Sequence, residues 1–167
     1  YVKFADLWMP IKQGTDSAAF LAMGHVALKE FYIDKQESYF QSYAKQNTDM
    51  PIQVILRKHE GGFVSDRCLR ASDLNENLGE KNNPEWKTIV YDNKSKSFVA
   101  PNGSIGFRWG EEGKWNLLHQ SGGQEIDQEL SCLGNQDELV SVGFPHFTPN
   151  ESDLLWRNVP VRKLKNA

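Results

Sequence analysis

Hydrophobic spacing in the first third of the chain predicts a long helix. Between Asp16 and Phe31, in a run rich in Ala and Leu, apolar residues recur at three- and four-residue intervals, which is the period of one helical face. Thr15 or Asp16 is suited to cap this helix, because either side-chain oxygen can accept a hydrogen bond from a free helix amide. Gly24 lies mid-run, where glycine costs up to about 1 kcal/mol relative to alanine, so we expect another element to approach closely there.

A second helix is predicted from about Lys35 to Gln46. Asp34 and Glu37 have the spacing of a capping box at its start, with Asp in the place of Ser or Thr. Pro51 follows a few residues later and ends the helical pattern, since the residue before a proline avoids the helical region. Ahead of the first helix, the mostly apolar residues 4–9 predict a short strand or the exit from one.

Short strands and tight turns follow. Ile52–Arg57 is rich in β-branched residues, and a turn at Glu60–Gly62 leads to a return strand that begins with Phe63–Val64. Trp86–Asp92 alternates and faces Phe98–Ala100 across a polar loop, which predicts a hairpin.

The remaining elements are predicted to be short. We expect one or two helical turns at Ser72–Leu78, extended pieces at Leu130–Leu133 and Val159–Leu164, and a helical turn at Asn135–Val140. Three prolines, at 145, 149 and 160, argue against long regular elements. The order of elements predicts an α/β to α+β fold, with a helical first third (1–51) and a β-hairpin-rich remainder (52–167).

Composition narrows the class of protein. The 167 residues carry a formal net charge of −3 and a sequence pI near 5.8, so the basic footprint of a nucleic-acid-binding protein is absent. No apolar run approaches the roughly 18 residues that a membrane span needs. Cys68 and Cys132 are too few for a disulfide scaffold and too far apart for a CxxC metal site, so we expect buried thiols. The start at Tyr1, without initiator Met or signal-like core, suggests a chain cut from a longer one.

Few residues have the spacing of catalytic or metal-binding groups. The four histidines do not share ligand spacing, so no metal site is expected, and His25 is expected to be a packed or capping side chain. Glu111 and Glu112 are adjacent and fit a solvated turn better than an acid/base pair. We therefore assign no catalytic and no metal-binding residue.

Two positions remain candidates for binding. Gln13-Gly14-Thr15-Asp16 lies at a helix start, where free amides and the helix dipole favour an anion such as a phosphate; Gly14 permits close approach, and Asp16 could accept from the N–H edge of a guanine. The alternative is an ordinary capped helix. Arg108, between Phe107 and Trp109, could bind an anion or a partner's carboxylate; the alternative is a hairpin arginine packed over an aromatic face.

Longer stretches of the chain carry a family resemblance. The segment Asp6–Phe31 resembles the cofactor-domain segment of molybdopterin oxidoreductases. Further stretches resemble the alpha (catalytic) subunit of the membrane-bound respiratory nitrate reductases: Asn47–Pro51, Asn82–Thr88, Val99–Glu111, Leu133–Glu138 and Val142–Pro145. The resemblance covers nearly the whole chain.

The resemblance implies a function for the longer subunit. Such a subunit holds a molybdenum bis(molybdopterin guanine dinucleotide) centre and a 4Fe-4S cluster, and reduces nitrate to nitrite with electrons from quinol. Its partners would be an iron–sulfur beta subunit and, through it, a membrane gamma subunit, which implies a peripheral position on the cytoplasmic face of the membrane. Nucleic acid would not be a partner.

It also implies roles for this segment. Residues 1–51 would be part of the α/β domain that binds the guanine dinucleotide, with Gln13, Gly14, Thr15 and Asp16 as cofactor-binding residues. Residues 52–167 would be a subunit-specific insertion or extension. The metal ligands would lie outside the segment, so the isolated segment should hold no cofactor and be inactive. The alternative is a non-catalytic interaction module of a related chlorate- or selenate-type molybdenum reductase, contacting an iron–sulfur beta subunit.

Overall fold

The computed structural model describes residues 4, 6–74, 87–104, 116–130, 137–145 and 153–164. The chain divides into two compact units, Tyr1–Gln41 and Ser42–Ala167. Two α-helices and a π-helical segment come first, and strands with one short helix follow, which confirms the mixed α+β class. The assignment of 1–51 to a cofactor domain and of 52–167 to an insertion stays a prediction.

The first unit is helical. Helix α1 covers Asp16–Ala27, and it continues as a π-helix over Leu28–Asp34 rather than as α-helix to Phe31. The π-helical hydrogen bond from an amide to the carbonyl five residues earlier aligns side chains at that spacing. Two ion pairs form between side chains five residues apart. Lys29 Nζ lies 2.5 Å from Asp34 Oδ2, and Lys35 Nζ lies 2.6 Å from Glu30 Oε1.

The second predicted helix begins later than expected. Helix α2 covers Ser38–Asn47, and the amide of Gln41 donates to the carbonyl of Glu37. The capping box with Asp34 is wrong, because that carboxylate is paired with Lys29 instead. The predicted strand at residues 4–9 is also wrong: residue 4 and residues 6–9 form no strand.

Ten strands and one short helix follow α2 in the described part of the second unit. They are β1 (Val54–His59), β2 (Gly62–Cys68), α3 (Ala71–Leu74), β3 (Val90–Asp92), β4 (Ser97–Val99), β5 (Gly103–Ser104), β6 (Asn116–Leu117), β7 (Gln120–Ser121), β8 (Gln124–Glu125), β9 (Glu138–Pro145) and β10 (Leu154–Val161).

A four-stranded sheet in the order β1-β2-β9-β10 is the largest element of the described residues. The predicted hairpin of β1 and β2 is confirmed, with His59 opposite Gly62 and Glu60-Gly61 as its turn. Strand β9 adds parallel to β2, with Phe63 opposite Val142, and β10 pairs antiparallel with β9.

The smaller hairpins follow the local sequence signals. Strands β3 and β4 pair with Val90 opposite Val99, which confirms the predicted hairpin. Gly122 and Gly123, both at positive φ, form the turn between β7 and β8. Backbone bridges join Ile52 to Val90 and Arg70 to Thr88, so the connections between strands share one hydrogen-bonded framework.

Predictions for the last third were less accurate. The helical turn at Asn135–Val140 is wrong from residue 138 onward, where β9 begins, and residues 135 and 136 lie outside the described part. The prolines do not prevent long strands: Pro145 ends β9 and Pro160 lies on the edge strand β10, where a missing amide is tolerated.

Three further predictions are confirmed only in part. The extended piece at Val159–Leu164 is a strand as far as Val161, and the helix at Ser72–Leu78 is described only as α3. Of Leu130–Leu133 only Leu130 is described, and it has no regular structure. Cys68 is exposed, so the buried-thiol prediction is wrong there, and Cys132 lies outside the described residues.

The second unit has a hydrophobic core built by these hairpins. One cluster joins Ile52, Val90, Leu117 and Ile126, and a second joins Leu69, Ala71 and Ile89. Ile89 and Val90 are completely buried, and they come from the segment that enters β3.

Candidate functional site

The turn before α1 is tight and depends on a glycine. Gly14 has a φ of 82°, a conformation that side chains with a Cβ rarely adopt. The turn is closed by Lys12, whose carbonyl accepts from the amide of Thr15 at 3.0 Å and from its Oγ1 at 2.5 Å. The sequence prediction of a glycine turn leading into the helix is therefore confirmed.

Thr15 occupies the N-cap position but does not cap the helix with its side chain. No side-chain capping bond is present, because the hydroxyl donates backwards to Lys12 instead. The hydroxyl oxygen keeps its acceptor lone pairs. The expectation that Thr15 or Asp16 would cap α1 through its side-chain oxygen is wrong.

The corner consequently presents unused hydrogen-bonding groups. Within the described residues, no hydrogen bond uses the backbone amide of Asp16 or of Ser17, and none engages the carboxylate of Asp16. Asp16 is exposed, as are Gln13 and Gly14. A free carboxylate beside free helix amides offers both an acceptor and anion-binding donors in one place.

An open groove runs from this corner along α1. It is lined by Asp16, Ser17, Phe20, Leu21, Gly24, His25 and Leu28. A Cβ added to Gly24 would meet no atom within 4 Å, so the described structure contains nothing that requires a glycine there. His25 is exposed in the groove, so the prediction of a packed side chain is wrong.

Helix α1 also exposes apolar side chains that the predicted face did not include. Leu21 is 75% exposed, Met23 49% and Val26 59%, and no residue of the helix is buried. The signal was present in the sequence, because from Ala18 to Leu28 only His25 is polar. A helix that is apolar on every side is typical of the interior of a large protein or of a membrane span.

A buried carboxylate of the second unit accepts hydrogen bonds from three backbone amides. Asp92 is buried, and its Oδ1 accepts from the amides of Lys94 at 3.0 Å and Asp127 at 2.7 Å, while Oδ2 accepts from the amide of Ser95 at 2.9 Å. Burial alone would raise the pKa of Asp92, but hydrogen bonds from Ser95, Asp127 and Lys94 outweigh it and lower the pKa to about 2. This group is ionised at neutral pH and holds structure together.

A largely buried ion pair ties the chain near Arg162 to the core. The Arg162 guanidinium bonds both carboxylate oxygens of Glu129, at 2.8 and 2.5 Å, and stacks 3.5 Å from the ring centre of Tyr91. The hydrogen bond to Glu129 raises the pKa of Arg162. Both oxygens of the Glu129 carboxylate accept hydrogen bonds from Arg162, so the pair is a structural link rather than an acid/base catalyst.

The structure does not test the other candidate residues. Arg108, Glu111 and Glu112 lie outside the described residues. Over the residues that the structure describes, no group of three or more His, Cys, Asp or Glu side chains is placed to hold a metal ion. No helix in the same residues is long and apolar enough to cross a membrane.

Comparison with known proteins identifies long relatives. The chain is 48% identical over 99% of its length to the respiratory nitrate reductase 1 alpha chain of Escherichia coli (strain K12), and 40% identical over 97% to the nitrate reductase alpha chain of Bacillus subtilis (strain 168). It is 34% identical over 61% of its length to the dimethylsulfide dehydrogenase subunit alpha of Rhodovulum sulfidophilum. No family model matches the chain.

The relatives are far longer than this chain. It spans 14% of the Escherichia coli alpha chain and 13% of the Bacillus subtilis chain. Identity of 40–48% over nearly all of 167 residues confirms the resemblance found in the sequence. The chain therefore belongs to the respiratory nitrate reductase alpha-chain family, of whose members it represents one segment.

Proposed function

We propose that this chain is a segment of the catalytic subunit of a respiratory nitrate reductase. The observation that carries the proposal is the 48% identity over 99% of the chain with a respiratory nitrate reductase alpha chain. The whole subunit would reduce nitrate to nitrite at a molybdenum bis(molybdopterin guanine dinucleotide) centre. Electrons would come from quinol through an iron–sulfur beta subunit, with a gamma subunit holding the complex on the cytoplasmic face of the membrane.

Within that subunit, residues Gln13–Asp16 form part of the wall that binds a guanine dinucleotide. The residues fit the group, because a free Asp16 carboxylate can accept from two adjacent N–H donors of a guanine. Among the described residues nothing occupies the amides of Asp16 and Ser17, which can bind an anion at the positive end of α1. Gly14 and Gln13 leave the turn open, and Thr15 can offer only its acceptor lone pairs, because its proton is given to Lys12.

The cofactor and the protein residues have different roles in this proposal. The molybdenum cofactor, when bound, supplies the redox and oxygen-transfer chemistry, while the protein supplies binding and orientation. Gln13–Asp16 contains no base or nucleophile placed for catalysis, so its residues bind and orient. The 4Fe-4S cluster of such a subunit would be held by residues outside this segment.

The test is Asp16→Asn in the full-length subunit. The Asn side chain has one acceptor oxygen and one NH₂ donor where the carboxylate has two acceptor oxygens, so it can pair with only one of two adjacent N–H donors. Hydrogen bonds to charged groups contribute about 1.5–3 kcal/mol. We expect cofactor affinity to fall roughly 10- to 100-fold, seen as less molybdenum and less GMP released by acid hydrolysis per mole of protein. Asp66→Asn, at an exposed carboxylate on β2, is the matched control. Unchanged molybdenum and GMP contents would refute the assignment.

A second candidate function is an interaction module of a chlorate- or selenate-type molybdenum reductase. The separate core of the second unit and the exposed Leu139 (69%), Phe144 and Leu155 on its sheet favour it. On this reading the β-rich residues contact an iron–sulfur beta subunit and α1 is mere support. Asp16→Asn would then leave cofactor content unchanged, and changes at Leu139 would weaken association with the beta subunit.

A further inference from the structure

From Ala18 to Ala27, helix α1 is apolar on all sides except at His25, and within the described residues none of its side chains is buried. At about 100° per residue, Leu21 and Val26 lie roughly 140° apart around the helix axis. Their side chains are 75% and 59% exposed. Burying such side chains is worth about 1.5–3 kcal/mol each, so a helix with two apolar sides is stable only when both are covered.

Gly24 gives an independent indication of a close neighbour. It lies one turn from Phe20 and one turn from Leu28, on the side of the helix that faces the groove. Glycine destabilises a helix interior, and the described structure offers no contact that a Cβ would violate. A backbone or a bulky side chain packed into the notch between Phe20 and Leu28 would explain the residue.

We propose that α1 is an interior helix of the full-length subunit, packed on both sides by apolar segments of the same polypeptide that lie outside these 167 residues. The inference rests on the proposed function, in which this chain is one segment of a longer subunit. The length of chain available for the cover is large, because these residues correspond to only 13–14% of the related alpha chains. The lining favours polypeptide over cofactor along the groove, since beyond Asp16 and Ser17 only His25 is polar.

Cysteine labelling of the full-length subunit tests the proposal. Leu21→Cys and Val26→Cys report on the two sides of α1, and Lys29→Cys is the matched control, because Lys29 is a charged side chain that is 62% exposed. Each labelling rate is divided by the rate of the same variant unfolded in guanidinium. We expect protection of about 100-fold or more at Leu21 and Val26, and below about 10-fold at Lys29, as for packed and surface positions.

Labelling different preparations of the subunit shows what covers the helix. We expect the protection in the isolated, monomeric alpha subunit, without its beta subunit and whether or not cofactor is loaded. Protection that arises only in the complex with the beta subunit, only in oligomers, or only after cofactor loading would overturn the proposal. Labelling at Leu21 or Val26 as fast as at Lys29 would overturn it as well.

A measurement without substitutions guards against variants that fail to fold. In the unmodified subunit, backbone amides of residues 20–27 should exchange at least about 100-fold more slowly than in an unfolded chain, because an isolated helix of this length is only marginally stable. Fast exchange there would contradict an interior helix. Neither readout depends on activity or on Asp16, so failure of this proposal and failure of the cofactor-wall assignment are distinguishable.

Discussion

One carboxylate, Asp92, shows how much a single residue contributes to the second unit. It accepts hydrogen bonds from the amides of Lys94 and Ser95 within the β3–β4 loop. It also accepts one from the amide of Asp127, thirty-five positions further along the chain. The local half of this arrangement is an Asx-type turn, which the polar loop after Asp92 indicates in the sequence. The bond to Asp127 depends on tertiary pairing, so it was not predictable from the residues nearby.

Asp92 should make stability depend on pH in the acid range. Its pKa is about 2 in the folded chain against an ordinary 3.8, so its contribution is fully present above pH 3.8 and is lost as the pH falls through 2. The shift corresponds to about 2 kcal/mol. We expect Asp92→Asn to lower the free energy of unfolding by roughly that amount at pH 7 and by little near pH 2.

Urea unfolding of the chain at several pH values, followed by tryptophan fluorescence, measures this difference. Asp49→Asn, at an exposed carboxylate, is the control and should change stability by less than about 0.5 kcal/mol. A loss at Asp92 that is the same at pH 7 and pH 2 would show that its charge is not the cause.

Element by element, local signals predicted hairpins well and long-range pairing poorly. The β1–β2 and β3–β4 hairpins follow from strand-forming residues on either side of short polar turns, which are local features. Strand β9 was missed and β10 was predicted only from Val159 onward, because β9 adds parallel to β2 from far along the chain and no local pattern records that pairing. The π-helix over Leu28–Asp34 was missed because its apolar spacing also fits an α-helix.

Gly62 fixes the distance between β2 and β9. A Cβ at this position would lie 2.4 Å from the carbonyl oxygen of Ser141 and 2.9 Å from Cζ3 of Trp156. The oxygen belongs to a backbone strand and cannot move without disturbing the parallel pairing. We expect Gly62→Ala to lower the free energy of unfolding by about 1–3 kcal/mol, the usual cost of overpacking.

The natural control is Gly122, which lies in open space in the β7–β8 turn. Asparagine tolerates the left-handed conformation there, so Gly122→Asn should cost less than about 1 kcal/mol. Denaturant unfolding compares the two variants with the parent chain. Equal effects would mean that close approach of the strands is not what Gly62 provides.

At the scale of the whole molecule, residue chemistry and sequence similarity to known proteins support different parts of the proposed function. Residue chemistry alone predicts a helix start with anion-binding capacity, and the structure adds that no described residue bonds the Asp16 carboxylate or the amides of Asp16 and Ser17. An ordinary capped helix would have the same residues, so chemistry alone does not choose between the two. The similarity to alpha chains of which this chain spans 14% is what leads us to propose a cofactor for the Asp16 carboxylate and a cover for helix α1.

The same reasoning predicts that the 167 residues are inactive by themselves. In the proposed function they offer one wall of a dinucleotide site, and the contact of Asp16 with a guanine, at about 1.5–3 kcal/mol, is less than the roughly 4 kcal/mol that millimolar affinity requires. We expect no nitrate reduction with reduced methyl viologen, and guanine nucleotide binding weaker than about 1 mM by calorimetry. The full-length subunit, loaded with cofactor, is the positive control in the same assay. Nitrate turnover by the segment alone would contradict the cofactor-wall reading, because it would require a complete reaction centre within residues that offer only part of one.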